Sequence, residues 1–313
     1  MSTLTTAKVF SQSARLMGNR FEISVVATDQ EHADHVIKHA IAEIQWIEKL
    51  LTTFDPNSQT NQVNENAGIK SVKVDKEVFD LIERSLKISK LTQGAFDLTY
   101  GSLDKQFWNF DTHMTSLPKP EDAKWAVKRI DYRHIILNKE EQTVFIQQKG
   151  TRIGFGGIGK GYAADKAKQV LKALGIENGI VNASGDLTVW GTQPNGKKWT
   201  VGIADPQHKN LPFASLELSN ASIATSGSYE KFVMIDGKKY SHNIDPRTGY
   251  PVHGIKSTTI ICKNAELADA MATPITVMGV KQGLHLIDQL NDMACIIIDD
   301  DDQVFHSKNI RLS

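Results

Sequence analysis

The chain has 313 residues, with 36 Lys and Arg set against 36 Asp and Glu. A formal net charge of zero excludes the broad basic field of a nucleic-acid binder, and no aromatic-basic patch supplies one locally. The 40% hydrophobic content suits a substantial buried core, while the longest apolar runs, such as residues 294–298, fall far short of a bilayer span.

The first residues lack the apolar core of a signal peptide, and no early cysteine offers a lipid anchor, so the sequence as written reads as cytoplasmic. Cys262 and Cys295 each sit in an apolar, strand-like run and are expected as two buried thiols. Their spacing fits neither a metal knuckle nor a disulfide framework.

In chain order, residues 10–26 read as extended around a kink at Met17, Gly18 and Asn19. Residues 31–51 make an amphipathic helix with Val36, Ala40, Ile44, Ile47 and Leu51 on one side, ended by the turn cluster 54–58. The polar, Asn-rich residues 59–68 follow. Asp75 is expected to cap a second helix running to Leu91, with Val78, Ile82 and Leu86 inward. Residues 92–97 are too dense in turn formers for regular structure. A loop over 107–120, a short helix over 121–128 and a hairpin of 133–137 with 143–148 come next.

Past residue 165, strands are expected at 179–190, 199–204, 213–218, 222–225, 231–235 and 257–262. A helix at 265–278 carries Pro274 inside it, a further helix spans 281–290, and 293–298 pairs with 303–306. The acidic quartet 299–302 reads as a solvated hairpin turn rather than a metal trap. With no repeat, low-complexity linker or clear boundary, residues 1–313 are expected as one domain of two intimate lobes.

The richest stretch is the glycine-rich run 151–165, which follows an extended apolar segment and opens a helix with Ala163, Ala167, Val170, Leu171 and Leu174 on one face. Glycines let a backbone approach a ligand closely, and amides at a helix start point at an anion. Gly154, Gly156 and Gly159 spell G-x-G-x-x-G, and Lys160 adds a positive charge. The spelling alone is weak, since a tight strand-to-helix turn needs no ligand. A triphosphate loop needs Ser or Thr after Gly-Lys, whereas Gly161 follows Lys160. A Rossmann unit would continue in strand–helix repeats, whereas an antiparallel strand pattern follows here. Phosphate binding is retained and the Rossmann fold set aside.

Three further stretches gather chemistry. Residues 224–229 end a strand with hydroxyls and Gly227. Residues 240–251 put His242, Asp245 and Arg247 in one turn-rich segment, and Asp269 and Thr273 share a helix face. Singly, each has a plainer explanation: a β-turn with an Asp cap, a surface histidine, a threonine bonding its own helix. The i,i+4 pair His35 and His39 lacks a third ligand in sequence.

Taken in order, residues 17–21, 54–58 with Asn64, 94–97, the glycine run, 182–186, 225–229, 242–249 and 268–273 resemble the FAD:protein FMN transferase family, the ApbE-like flavin transferases. The resemblance covers essentially the whole chain and is most specific in 241–251 and in Gly-Lys-Gly-Tyr-Ala-Ala-Asp at 159–165.

The resemblance implies an α+β fold related to the tunnelling-fold group, with antiparallel sheets, packed helices and FAD in a cleft between lobes. It implies a Mg²⁺-dependent reaction in which the FMN half of FAD passes to a Thr or Ser hydroxyl of a target protein and AMP leaves. Metal positions fall on Asp269, Thr273 and a carbonyl near Gly159. Flavin and adenine contacts fall on Met17, Phe54, Ala95, Phe96, Asp97, Asp165, Thr225, Ser226, Gly227 and Tyr229, and the catalytic histidine on His242. Lys160 is expected at the phosphates, Asp245 as an orienter of the imidazole at the same pocket, and Arg247 as a phosphate or loop clamp. The implied partners are FAD and an acceptor protein, such as a redox-driven membrane complex or a flavin-carrying reductase.

A FAD pyrophosphatase giving FMN and AMP, and a flavin-binding protein without turnover, are the alternatives. Three departures from the pattern stand out. Gly154 replaces an acidic residue, Pro274 follows Thr273 and should bend its helix, and the export signal of most relatives is missing. The chain is therefore expected inside the cell, or on the exported side if an upstream segment exists.

Overall fold

The computed structural model describes residues 6–104, 115–204, 212–227 and 232–310. The hairpin of β1 (Lys8–Leu16) and β2 (Asn19–Ala27) opens the chain. What the sequence suggested as one kinked strand is a two-residue turn with Met17 and Gly18 both at positive φ, 51° and 74°. That backbone twist matches the strands it joins. The helix α1 (Gln30–Leu51) is capped by the Asp29 carboxylate and buries the expected Val36, Ala40, Ile44, Ile47 and Leu51. Each such apolar side chain contributes about 1.5–3 kcal/mol on burial.

Residues 59–65, read as polar connection, form the helix α2 (Gln59–Glu65), capped by Ser58. The edge strand β3 (Val72–Lys73) precedes α3 (Lys76–Leu91), and a 3-10 turn follows at Leu98–Ser102. Next come α4 (Pro120–Ala126), β4 (Ile135–Asn138) and β5 (Thr143–Ile146), which with β3 make a small antiparallel sheet in the order β3-β5-β4. The helix α5 (Gly159–Ala173) starts inside the glycine-rich run.

The segment 179–190 is two strands, β6 (Gly179–Ala183) and β7 (Asp186–Trp190), turned at Ser184 and Gly185, both at positive φ. Then follow β8 (Trp199–Ala204), β9 (Pro212–Leu218) and β10 (Ala221–Gly227). A hairpin of β11 (Phe232–Ile235) and β12 (Lys238–Ser241) leads to β13 (Ile255–Cys262). The two helices expected between 265 and 290 join in α6 (Ala265–Ile287). Its backbone leaves helical angles at Gly279 (φ 80°, ψ 170°), not at Pro274. The hairpin of β14 (Met293–Asp299) and β15 (Val304–His306) closes the described fold.

Eight strands form one antiparallel sheet in the order β1-β2-β6-β7-β10-β13-β14-β15. The helices α1, α5 and α6 pack on one of its faces. The other carries the β8–β9 hairpin through Trp199, Val201, Leu216 and Leu218 against Leu187, Val189 and Ile223. Covered on both faces, β7 is buried along its whole length. No described helix is long and apolar enough to cross a membrane.

Candidate active site

The N-terminus of α5 has no side-chain cap of its own, because Ile158 occupies the cap position. Its amides are met from α6 instead. Asp269 Oδ2 accepts from the Gly161 N–H at 2.9 Å, and the carboxylate also accepts from the Lys160 N–H. So close a crossing requires glycine: a Cβ at Gly161 would lie 2.1 Å from the Ala265 carbonyl oxygen. Gly156 and Gly157 differ, since a Cβ would meet nothing within 4 Å at the first and only the Phe96 ring, at 3.6 Å, at the second. Neither has a positive φ. The fold does not demand glycine there, and the open main chain beside Phe96 is what an approaching phosphate or flavin needs.

Asp269 is buried at the base of this helix start, and so is Asp186 at the start of β7. Lys160 Nζ pairs with Asp186, whose carboxylate also accepts from the Thr225 N–H. Burial and the nearby Asp186 charge push Asp269 up from the ordinary carboxylate range. Burial likewise raises Asp186, against the pull of Lys160. Burial lowers Lys160, but the two carboxylates outweigh it and raise its pKa. Two buried carboxylates thus share one ammonium, an excess of negative charge that favours a further cation.

The donors fit Mg²⁺. Thr273, one turn beyond Asp269 on α6, adds a hydroxyl, and Gly159 opens the adjacent helix, so the available ligands are hard oxygens. Among the described residues no group of three or more His, Cys, Asp or Glu could hold a metal ion, so a cation here would depend on the Thr273 hydroxyl and main-chain oxygen beside the Asp269 carboxylate.

The same group of side chains extends to Asn243, the residue after His242. Thr273 Oγ1 lies 3.5 Å from Ser226 Oγ at the end of β10, and Asn243 Nδ2 donates to that Ser226 oxygen at 3.3 Å. His242, directly before Asn243, is half-buried. Thr225 Oγ1 is 2.9 Å from Thr259 Oγ1, which ties the β10 end to β13. Gly227 ends β10, and Tyr229 lies outside the described residues.

On the other side of the glycine loop, the Met17 methyl would touch a Cβ at Gly159 (3.4 Å), and Thr53 approaches Gly154. Phe54, the residue after Thr53, is 97% exposed and leaves an aromatic face unshielded. Ala95 and Phe96 are buried, with the Phe96 ring next to Gly157.

Three of the expected contacts have their carboxylates engaged within the fold. Asp97 Oδ1 accepts from the Thr99 N–H and hydroxyl at 2.8 and 2.6 Å, and Oδ2 from the Tyr132 N–H at 2.9 Å, tying the 3-10 turn to residue 132. Asp245 receives the Arg247 fork at 2.9 and 2.8 Å rather than an imidazole, and the Arg247 stem passes Gly94. Asp165 accepts from the first amides of α6 and lines a separate cleft with Glu77, Arg84, Tyr162 and Glu266.

Asp186 and Asn243 are the members that residue-by-residue reading did not single out. The available signal for Asp186 was a carboxylate opening a strand with Leu187, Val189 and Trp190, directly after a Ser-Gly turn.

A model of the ApbE family matches residues 17–297. The FAD:protein FMN transferase of Klebsiella pneumoniae (strain 342) is 30% identical over 307 residues, covering 97% of this chain and 94% of that protein. That of Treponema pallidum (strain Nichols) is 28% identical, with 96% and 87% covered. Among solved structures, the ApbE protein of Thermotoga maritima superposes with a TM-score of 0.85 at 28% identity, covering 96% of this chain and 97% of that one. The flavinyl transferase ApbE of Pseudomonas stutzeri in its apo form gives 0.85 at 25%, covering 98% and 97%.

Proposed function

This chain belongs to the ApbE family, and from that membership and the geometry of the site we infer that it is an enzyme that transfers the FMN half of FAD to a target protein. We further propose that the acceptor is a Thr or Ser hydroxyl, that AMP leaves, and that Mg²⁺ is required. The observation that carries this reading is Asp269 held by the first amides of α5, with Thr273 a turn away and open backbone at Gly156 and Gly157 alongside.

In the step proposed, the acceptor oxygen bonds to the FMN phosphorus. The phosphorus–oxygen bond to AMP breaks, its electron pair leaves on AMP, and the hydroxyl proton passes to an imidazole nitrogen of His242. Mg²⁺ held by Asp269, Thr273 and the Gly159 carbonyl would offset the charge that gathers on the pyrophosphate oxygens. The chain's own residues do the rest. Phe54 offers exposed aromatic surface to the flavin, and the bare main chain at Gly156 and Gly157 admits the phosphates. Lys160 holds Asp186 and keeps two buried carboxylates from forcing the site apart. His242 lies outside the apolar core and beside Asn243, which reaches Ser226 near Thr273. A base is needed there because a Thr or Ser hydroxyl is a poor nucleophile at neutral pH.

AMP release from FAD and Mg²⁺, with and without an acceptor protein of an ApbE relative, tests the reading. AMP that appears only with acceptor supports transfer. AMP without it makes the protein a pyrophosphatase, and intact FAD in both makes it a flavin binder.

A further inference from the structure

The helices α5 and α6 cap each other. Neither has a side-chain hydrogen bond from its own cap residue, Ile158 or Asn264. Asp269, one turn into α6, accepts from the Lys160 and Gly161 amides at the start of α5. In return Asp165, one turn past Gly161 on α5, accepts from the Ala265 amide and, at 2.9 Å, from the Glu266 amide at the start of α6. Each carboxylate therefore satisfies amides that its partner helix leaves open. The two contacts together fix the rotation and the axial register of one helix against the other.

From this geometry we propose that Asp165 is a positioning residue for the metal-binding carboxylate, not a flavin contact. The proposal rests on the reading of Asp269 as a metal ligand given above. Asp165 faces the cleft bounded by α3 rather than the group around Lys160 and Asp186. A second clamp backs it: Arg84 of α3 forks onto Glu266 at 2.6 and 3.0 Å, so the residue whose amide Asp165 holds is gripped by its side chain as well. Without Asp165 two amides at the start of α6 lose their acceptor, and the reciprocal capping of the two helices is left to Asp269 alone, backed by Arg84 and packing. Asp269 then no longer meets the α5 amides at a fixed angle. Groups that orient a ligand carboxylate in this way are typically worth about 10–100-fold in metal affinity.

The test measures binding of two probes to the full chain: MgCl₂ titrated calorimetrically into metal-free protein, and FAD followed by fluorescence in the presence of EDTA. Asp165→Ala should weaken Mg²⁺ binding by about 10–100-fold and leave metal-free FAD affinity within about twofold. Asp165→Asn keeps a side-chain oxygen to accept the same amides and should recover most of the loss. The proposal is overturned if Asp165→Ala leaves Mg²⁺ affinity unchanged, if it weakens FAD binding instead, or if Asp165→Asn is as impaired as Asp165→Ala. Should Asp165→Ala not fold, Arg84→Met slackens the same helix start from α3. A fall in Mg²⁺ affinity supports the proposal, and an unchanged affinity contradicts it. Asp269→Asn is the control on the underlying reading. If it binds Mg²⁺ as well as the unaltered protein, or if that protein binds none, the metal assignment falls and the positioning role with it.

Discussion

Gly161 and Ala265 meet so closely that a Cβ on the first would stand 2.1 Å from the carbonyl oxygen of the second. That contact brings the start of α5 onto the carboxylate of Asp269. Gly161→Ala must push two helix backbones apart, and overpacking of this kind costs about 1–3 kcal/mol. Gly156→Ala meets no atom within 4 Å and has no positive φ to violate. Its stability should stay within about 0.5 kcal/mol of the original, while FAD affinity falls roughly tenfold, about 1.4 kcal/mol. Urea denaturation and FAD fluorescence titration on the two variants separate the cases. Unaltered FAD binding in a stable Gly156→Ala protein would remove the flavin from the face of this loop.

The proposed role of His242 is proton transfer and not holding FAD. His242→Ala should keep near-normal FAD affinity while transfer slows by about 10²–10⁴-fold, the usual worth of a general base. Equal losses of binding and of rate would move His242 into the flavin pocket. A fully active variant would pass the role to His253, whose ring packs edge-on against Tyr240 at 5.6 Å.

The two thiols make stability depend on alkaline pH. Burial raises Cys262 to about 11 and Cys295 to about 12 from the ordinary thiol value of 9.0. An acid whose folded pKa is raised keeps its proton in the native state while the unfolded chain ionises. Stability is therefore intact below pH 9 and lost as pH climbs from 9 toward 11 or 12. At pH 10 each thiol should cost about 1.4 kcal/mol relative to pH 8. Cys295→Ala has a lower baseline from lost packing but should show a smaller drop between pH 8 and pH 10 by about that amount. Denaturation curves at the two pH values check it, and an identical drop in both proteins would contradict the burial of this thiol.

Much of the frame was legible because it follows local periodicity. The apolar face of α1 and the helix opening in the glycine run both fall where spacing puts them. The misses have physical causes. Residues 59–65 look like loop because their polar side chains satisfy other backbone. Asn61 donates to the Thr53 and Asp55 carbonyls, and Asn64 both donates to and accepts from the Ile153 main chain. The turns at Met17 and Ser184 put non-glycine residues at positive φ, so only the glycine that follows each marks them. Lys160, Asp186 and Asp269 come from three separate elements that only the stacking of α5 and α6 on the large sheet brings together. The roles of Asp97, Asp165 and Asp245 depend on which amides and guanidinium face them, and spacing does not encode that.

The most direct measurement of the central claim is the intact mass of an acceptor protein after incubation with this enzyme and FAD, with Mg²⁺ or with EDTA, run beside Asp269→Asn. The account predicts an acceptor heavier by one FMN phosphodiester, attached at a Thr or Ser and matched by one AMP released. It predicts this only for the unaltered enzyme with Mg²⁺. An acceptor of unchanged mass despite AMP release, or full modification by Asp269→Asn or in EDTA, would contradict it.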